Sequence, residues 1–294
     1  MNIPYVSVLM TAYNREKYIA EAIESVLAQT YNDFELIIVD DRSTDNTLDI
    51  ARRYLSDKRV HVHINKVNLG DYPNRNRAAQ MARGKYIKYL DSDDYIYPFG
   101  LAAMVEMMDT HSPAALGIQR PSLPNKHYPI LLTPKDAYHE HFFKGGLFGV
   151  GPTGVIMLAS AFRELGGFSG KRYVGDFEMW LKMAAHHPVV KFMEGLVWWR
   201  SHGEQEISIG YQTLTYAALE YNTQIQALLS CESPLSGNEQ SSALRWLKFR
   251  HARNILRIAL HDLRPDKAAE VMRETSFAAV DLMRAFDSIK RMNY

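Results

Sequence analysis

One cysteine, Cys231, stands in a chain of 294 residues, so no intrachain disulfide can form and a reducing compartment suits the chain. Long apolar runs are missing too: none approaches the roughly 20 residues of a membrane span. Met1-Asn2-Ile3-Pro4 offers no basic start leading into a long apolar core, so no secretory leader is expected and the cytoplasm is the expected compartment. Excess charge of either sign is lacking, the net charge being +1, which removes any general attraction to nucleic acid. No repeats and no low-complexity segment appear. No Gly-x-Gly-x-x-Gly follows the first apolar run and no Gly-Lys-Ser/Thr loop occurs anywhere, which argues against dinucleotide binding and P-loop hydrolysis. What is left, 47% hydrophobic and 23% charged residues, is the composition of an ordinary globular protein.

The first third alternates strand and helix patterns. Tyr5 to Met10, Phe34 to Val39, Arg59 to Ile64 and Tyr86 to Leu90 read as strands. Between them, Ile19, Ala22, Ile23, Val26 and Leu27 recur at helical spacing, residues 40–46 can cap a helix through Tyr54, and Asn74 to Ala82 reads as a short helix closed by Gly84. Strands separated by helices predict βαβ units and a mostly parallel sheet, whose ligands bind at the carboxyl ends of the strands. Thr11 to Tyr13, Asp40-Asp41 and Asp91 to Asp93 all fall at such ends.

Asp91-Ser92-Asp93-Asp94 crowds three carboxylates just past a strand. They repel one another unless something positive sits between them, and hard oxygen donors suit Mg²⁺ or Mn²⁺ with phosphate oxygens completing the shell. The bland alternative is a solvated acidic turn opening the next helix. Tyr13 can stack on a base, and Asp41, which only accepts hydrogen bonds, would read a base N–H such as that of uracil or guanine.

These segments resemble one family. Val6 to Asn14, Ile38 to Thr47, Gly84 to Ile87 and Leu90 to Asp94 resemble family 2 glycosyltransferases, and the likeness continues through Gly166-Gly167-Phe168, Gly175 to Leu181 and Trp199 to His202, covering roughly residues 3–210. The resemblance implies an α/β, GT-A nucleotide-diphospho-sugar transferase fold with a mostly parallel central sheet flanked by helices. It implies an inverting hexosyl transfer by single displacement, from a nucleotide-sugar to a hydroxyl of a glycan or lipid-linked acceptor. The pocket pattern favours a UDP-sugar over a GDP-sugar. By the family's motifs, Asp93 is the first metal ligand for Mn²⁺ or Mg²⁺, Asp91 faces the ribose or the metal's water shell, and Asp94 is an alternative ligand. Thr11, Tyr13, Asp41 and Arg75 fall on nucleotide-binding positions, Asp176 on the general base, and His202 on a residue near the diphosphate or the metal. Independently, a guanidinium at Arg75 suits a phosphate, and a hydroxyl acceptor needs a base kept apart from the metal. Without the motifs, Asp176 would read as the N-cap of the helix from 176 to 185.

Two positions depart from the family's pattern. Gly175 stands where Glu is frequent, and Arg42 stands where Gly is usual; the expectation is a slightly different turn at Arg42, a nucleotide contact or a solvated loop arginine. Pro98 to His111 reads as a helix, residues 120–133 as a loop, residues 145–154 as a mobile glycine-dense segment, and one of Trp198 and Trp199 as core. The expected domains are residues 1–230, with a nucleotide half (1–97) and an acceptor half (98–230), then a linker and a C-terminal helical extension over 243–294. Arg245, Lys248, Arg250, Arg253 and Arg257 among apolar residues would let that extension touch the inner face of a membrane or self-associate, though packing within the protein is favoured. The rivals are a nucleotidyltransferase making NDP-sugars, whose glycine-rich first loop is missing here, and a non-catalytic nucleotide-sugar or glycan-binding module.

Overall fold

The computed structural model describes residues 3–122, 125–203, 205 and 215–290. Residues 204 and 206–210, the end of the family-like stretch, lie outside them, as do Met1 and Asn2 and the last four residues of the expected extension. The chain forms two compact units, one from the described residues of Met1–Ala137 and Leu147–Ser201, the other from those of Tyr138–Gly146 and His202–Tyr294.

In the first unit β1 (Val6–Ala12), β2 (Phe34–Asp40), β3 (Val60–Ile64) and β4 (Tyr86–Tyr89) run parallel, as the alternating pattern predicts. All seven residues of β2 are buried, as expected of a strand covered on both faces. After β5 (Tyr95–Ile96) come β6 (Leu116–Gln119), β7 (Ile130–Leu132), β8 (Val155–Leu158), β9 (Val189–Phe192) and β10 (Val197–Trp198). The large sheet has the order β3-β2-β1-β4-β8-β6-β9-β7, with β8 antiparallel to both neighbours, and β5 pairs with β10 in a separate ribbon. The register aligns Ala12 with Asp40 and Leu9 with Tyr89, so the carboxyl ends of β1, β2 and β4 share one rim.

Helices cover both faces. Val6, Val8 and Met10 of β1 share a core with α1 (Ile19–Leu27), α2 (Thr47–Arg52) and α4 (Gly100–Thr110). Strand alternation turns Leu9 and Ile37 to the other face, where α3 (Asp71–Met81), α6 (Ala159–Glu164) and α7 (Gly175–His186) lie against the sheet. Phe168 centres an aromatic cluster there, with Tyr72, Tyr89, Phe162 and Trp180 at ring distances of 5.2, 5.7, 5.1 and 6.0 Å.

Several local expectations are corrected. Helix α3 starts at Asp71, three residues early, because Pro73 lies in the first turn, where a missing N–H costs nothing. Gly84 does not cap it; a Cβ there would sit 2.6 Å from the Ser7 backbone nitrogen, so glycine permits a close approach. Arg42 keeps the positive φ (+67°) of the turn rather than changing it, a strained conformation for a bulky side chain. A short edge strand, β7, interrupts the expected loop at 120–133, after which α5 (Pro134–Phe143) follows. From Leu147 to Gly154 the glycine-dense segment is anchored, with Leu147, Phe148 and Thr153 buried and the Val150 carbonyl accepting the Trp180 indole N–H at 3.0 Å. Trp198 and Trp199 are both exposed, at 42% and 41%, because β10 ends at Trp198 and alternation does not extend to Trp199.

The second unit holds α8 (Thr215–Leu229), α9 (Gly237–Leu256), α10 (Pro265–Glu274) and α11 (Ala279–Lys290). Helix α9 begins inside the expected linker, started by a capping box between Ser236 and Glu239. Its apolar face, with Ala243, Leu247, Ala252 and Ile255, is buried on the other helices of the unit, while Arg245, Lys248, Arg253 and Arg257 stay exposed. The His251 ring stacks on Tyr221 at 3.8 Å, and burial pushes it down to about 4, so it is a neutral core residue. Among the described residues no helix is long and apolar enough to cross a membrane.

Candidate active site

The rim begins where β4 ends. The Leu90 N–H still bonds the Leu9 carbonyl (3.0 Å), and the chain then turns, the Asp94 N–H returning to the Asp91 carbonyl at 3.0 Å. The turn is tied to the glycine-dense segment by the Asp91 N–H, which donates to Thr153 Oγ1 at 3.0 Å. Each of its carboxylates meets a donor from a different element. Arg75 Nη1 donates to Asp91 Oδ1 at 2.7 Å, and Arg75 Nε donates to Asp71 Oδ1 at 2.7 Å. Arg15 Nε lies 3.2 Å from Asp93 Oδ2. The Arg200 N–H donates to Asp94 Oδ1 at 3.0 Å, and Arg200 Nε to the Asp93 carbonyl at 2.9 Å. The positive charge demanded by three crowded carboxylates is thus supplied in part by arginines. Asp94 is the most deeply placed, and burial, reinforced by the charges of Asp91 and Asp93, pushes its carboxyl well up. Beneath the turn the Lys88 ammonium is fully buried between the Tyr89 and Thr153 carbonyls, and burial pushes it down to about 7.

At the carboxyl end of β1, Thr11 is half-buried, and Tyr13, just past the strand, is 46% exposed and open to a stacking partner. Asp41 is buried, and its carboxylate accepts Asn65 Nδ2 (2.6 Å), the Leu69 N–H (2.8 Å) and the Gly70 N–H (2.9 Å). It therefore organises the loop that leads into α3, with one lone-pair direction of its four beyond those three donors. Asp40 takes the Ser43 N–H on Oδ1 (3.0 Å), while its buried Oδ2 has no hydrogen-bond partner among the described residues.

Asp176 lies on α7. The helix begins at Gly175, so Asp176 lies inside the first turn and is not its N-cap. Its Oδ1 accepts the Tyr72 hydroxyl at 3.0 Å and the Phe177 N–H at 2.7 Å. Burial pushes the carboxyl up to about 6; those two donors and the Arg75 charge oppose the rise, and Asp71 adds to it. Glu178, the other carboxylate of the first turn, is engaged by Lys171 Nζ at 2.5 Å and by the Ser169 hydroxyl.

The start of α3 and its preceding loop touch all three clusters: Asn65, Leu69 and Gly70 on Asp41, Arg75 on Asp91, and Tyr72 on Asp176. The sequence reading took only Arg75 from this stretch. Tyr72 and Arg75, three apart on one helix, share a face, which an expected start at Asn74 hides. Arg15, Thr153 and Arg200 were also missed, and their partners lie 62 to 106 residues away in sequence for Asp91–Thr153 and Asp94–Arg200, beyond any local pattern. His202 groups with the second unit, its N–H donating to Gln205 Oε1 at 3.2 Å. Among the described residues no three His, Cys, Asp or Glu side chains gather for a metal. Hard oxygens of Asp91 and Asp93 on the rim still fit a divalent cation that takes one or two carboxylates and completes its shell with phosphate and water.

Comparison with known proteins agrees with this geometry. The sequence model of glycosyl transferase family 2 matches residues 7–166. EpsE of Bacillus subtilis, provisionally named a glycosyltransferase, is 33% identical over 198 residues, 61% of this chain and 66% of EpsE. A glycosyltransferase of Haemophilus influenzae is 30% identical over 222 residues, 71% of this chain and 69% of that protein. WfaP of Escherichia coli, a UDP-Glc:alpha-D-GlcNAc-diphosphoundecaprenol beta-1,3-glucosyltransferase, is 40% identical over 105 residues, 36% of this chain and 41% of WfaP. The chain thus spans about two thirds of the length of the first two relatives and about two fifths of the third. Two solved structures share the fold: S. aureus TarS in complex with UDP-GlcNAc (TM-score 0.69, 20% identity, 92% of this chain and 81% of that one) and the mannosyltransferase PcManGT from Pyrobaculum calidifontis in complex with GDP-Man and Mn²⁺ (TM-score 0.65, 15% identity, 100% and 82%). The chain belongs to glycosyl transferase family 2 and has its α/β GT-A fold.

Proposed function

We propose that this glycosyltransferase moves a hexose from a UDP-sugar to a hydroxyl of a glycan or lipid-linked acceptor, with inversion, in a single displacement. The observation that carries the reading is that one helix, α3, reaches two carboxylates on different elements by different donors: Asp91, past β4, through the Arg75 guanidinium, and Asp176, on α7, through the Tyr72 hydroxyl. A direct displacement needs a base on the acceptor side and charge stabilisation on the leaving side.

Asp176 is the base. Its carboxyl, pushed up to about 6, is ionised at neutral pH yet basic enough to take the acceptor hydroxyl's proton as oxygen attacks the anomeric carbon. Tyr13 stacks on the base and Asp41 accepts its N–H, with Thr11 at the pocket floor. Asp93 and Asp91, with Asp94 as the alternative, would hold Mn²⁺ or Mg²⁺. When bound, the cation offsets the negative charge that develops on the leaving nucleoside diphosphate. Arg75 and Arg15 lie beside the same carboxylates and supply fixed positive charge to that side. The UDP-GlcNAc bound by TarS and the acceptor in WfaP's name support a UDP-sugar donor and a lipid-linked acceptor, and such an acceptor fits a cytoplasmic enzyme working at the inner face of a membrane.

Calorimetry of UDP binding tests the donor half. UDP is expected to bind about tenfold or more tightly with Mn²⁺ than with chelator, and Asp93→Ala to abolish the difference. Equal affinity with and without Mn²⁺ would remove the metal from the reading, and a preference for GDP would replace the donor.

A further inference from the structure

Gly175 opens α7 without the positive φ that would call for glycine. Its neighbour explains it. A Cβ at position 175 would lie 2.9 Å from three carbons of the Tyr72 ring. That ring is buried, 5% exposed, and its other contacts include Phe168 at 5.2 Å. Tyr72 is therefore clamped between the bare backbone of α7 and the aromatic cluster, and the clamp delivers its hydroxyl to Asp176 Oδ1 at 3.0 Å.

We propose that Tyr72 is a positioning residue for Asp176, and that Gly175 exists to admit its ring: the hydroxyl fixes the orientation of the carboxylate and favours its ionised form. The proposal rests on the reading of Asp176 as the general base. Tyr72 is suited to donate, because burial and the charge of Asp176 push its own ionisation far above the usual range, so it remains a hydroxyl. The other groups facing Asp176 are Arg75 and Asp71 from α3 and the Phe177 N–H of its own helix, while Glu178 is engaged by Lys171 and Ser169. Arg75 is itself fixed by Asp71 and Asp91, which leaves Tyr72 as the side-chain hydrogen-bond donor to the carboxylate. A ring at 72 that merely filled space would need no hydroxyl.

The test needs no substrate. Carbon-13 NMR of aspartate-labelled full-length protein follows each carboxyl through pH, and the Asp176 signal is assigned by its loss in Asp176→Asn. The wild-type midpoint is expected near the raised value, and Tyr72→Phe, which keeps the ring, is expected to move it up by about one pH unit, since the lost bond stabilised the charged form. Gly175→Ala, which displaces the ring, should move it in the same direction. An unchanged midpoint in a folded Tyr72→Phe protein would overturn the proposal and leave Tyr72 as packing. Turnover of Asp176→Asn is a separate readout: activity retained there would remove the base reading, and activity lost with an unmoved Tyr72→Phe midpoint would remove only the positioning role.

Discussion

Asp91 and Asp93 each hold a guanidinium directly, Arg75 at 2.7 Å and Arg15 at 3.2 Å, whereas Asp176 is hydrogen-bonded by neutral donors, a hydroxyl and a backbone N–H. The two regions are built from the same residue type and joined by the same helix, yet they meet charge in opposite ways. Around the acidic turn, Asp91 and Asp93 meet guanidinium charge within hydrogen-bond distance, which under the proposed function suits a surface that receives a still more negative diphosphate. At Asp176 the carboxyl is largely withdrawn from water and left without a direct cation, which raises its proton affinity and, under the proposed function, suits a group that takes a proton.

The comparison can be broken at three strengths. Arg75→Met should have the largest effect on stability, about 3 kcal/mol, because it strips the cation from both Asp71 and Asp91; the low end of the range for a broken buried pair applies, since those carboxylates keep part of their surface in water. Urea unfolding measures it, and a loss below about 0.5 kcal/mol would mean the rim does not depend on that charge. Asp176→Asn should act in the other direction. A carboxyl whose proton affinity is raised by folding stabilises the fold below its unfolded value near 3.8 and loses that contribution as pH rises through about 6. The neutral amide avoids the loss, so at pH 8 the variant should be more stable than wild type by about 1–2 kcal/mol, discounted because the carboxyl is only half-buried, and at pH 4 the two should converge. No gain at pH 8 would mean that Asp176 is not desolvated. The Tyr72→Phe titration is the finest of the three, a shift of about one pH unit within the acceptor side alone.

Much of this was legible in the sequence, and the limits are physical. Strands β1, β2 and β4 are buried apolar runs ending in polar clusters, so Thr11, Tyr13, Asp41 and Asp91 could be placed on one rim from pattern alone. The four-residue strands β6, β8 and β9 carry no period long enough to read, and the insertion of antiparallel β8 between β4 and β6 is a pairing of distant segments. The partners of the acidic turn were hidden for the same reason: Arg15, Thr153 and Arg200 reach it from three separate elements. Gly175 was visible as a departure from the family's pattern, but its meaning lies in a ring 103 positions earlier, and only packing shows it. Trp198 and Trp199 mark the converse failure, where a sound rule about alternation was applied one residue past the end of its strand.

The proposed separation of donor rim and acceptor base is tested most directly by Asp176→Asn, with turnover and donor affinity measured on the same preparation. UDP release from the nucleotide-sugar that the wild-type chain turns over should fall by about 10²–10⁴-fold, while the UDP dissociation constant in the presence of Mn²⁺ should stay within about twofold of wild type. A variant that keeps its turnover, or that loses UDP binding along with it, would contradict the account.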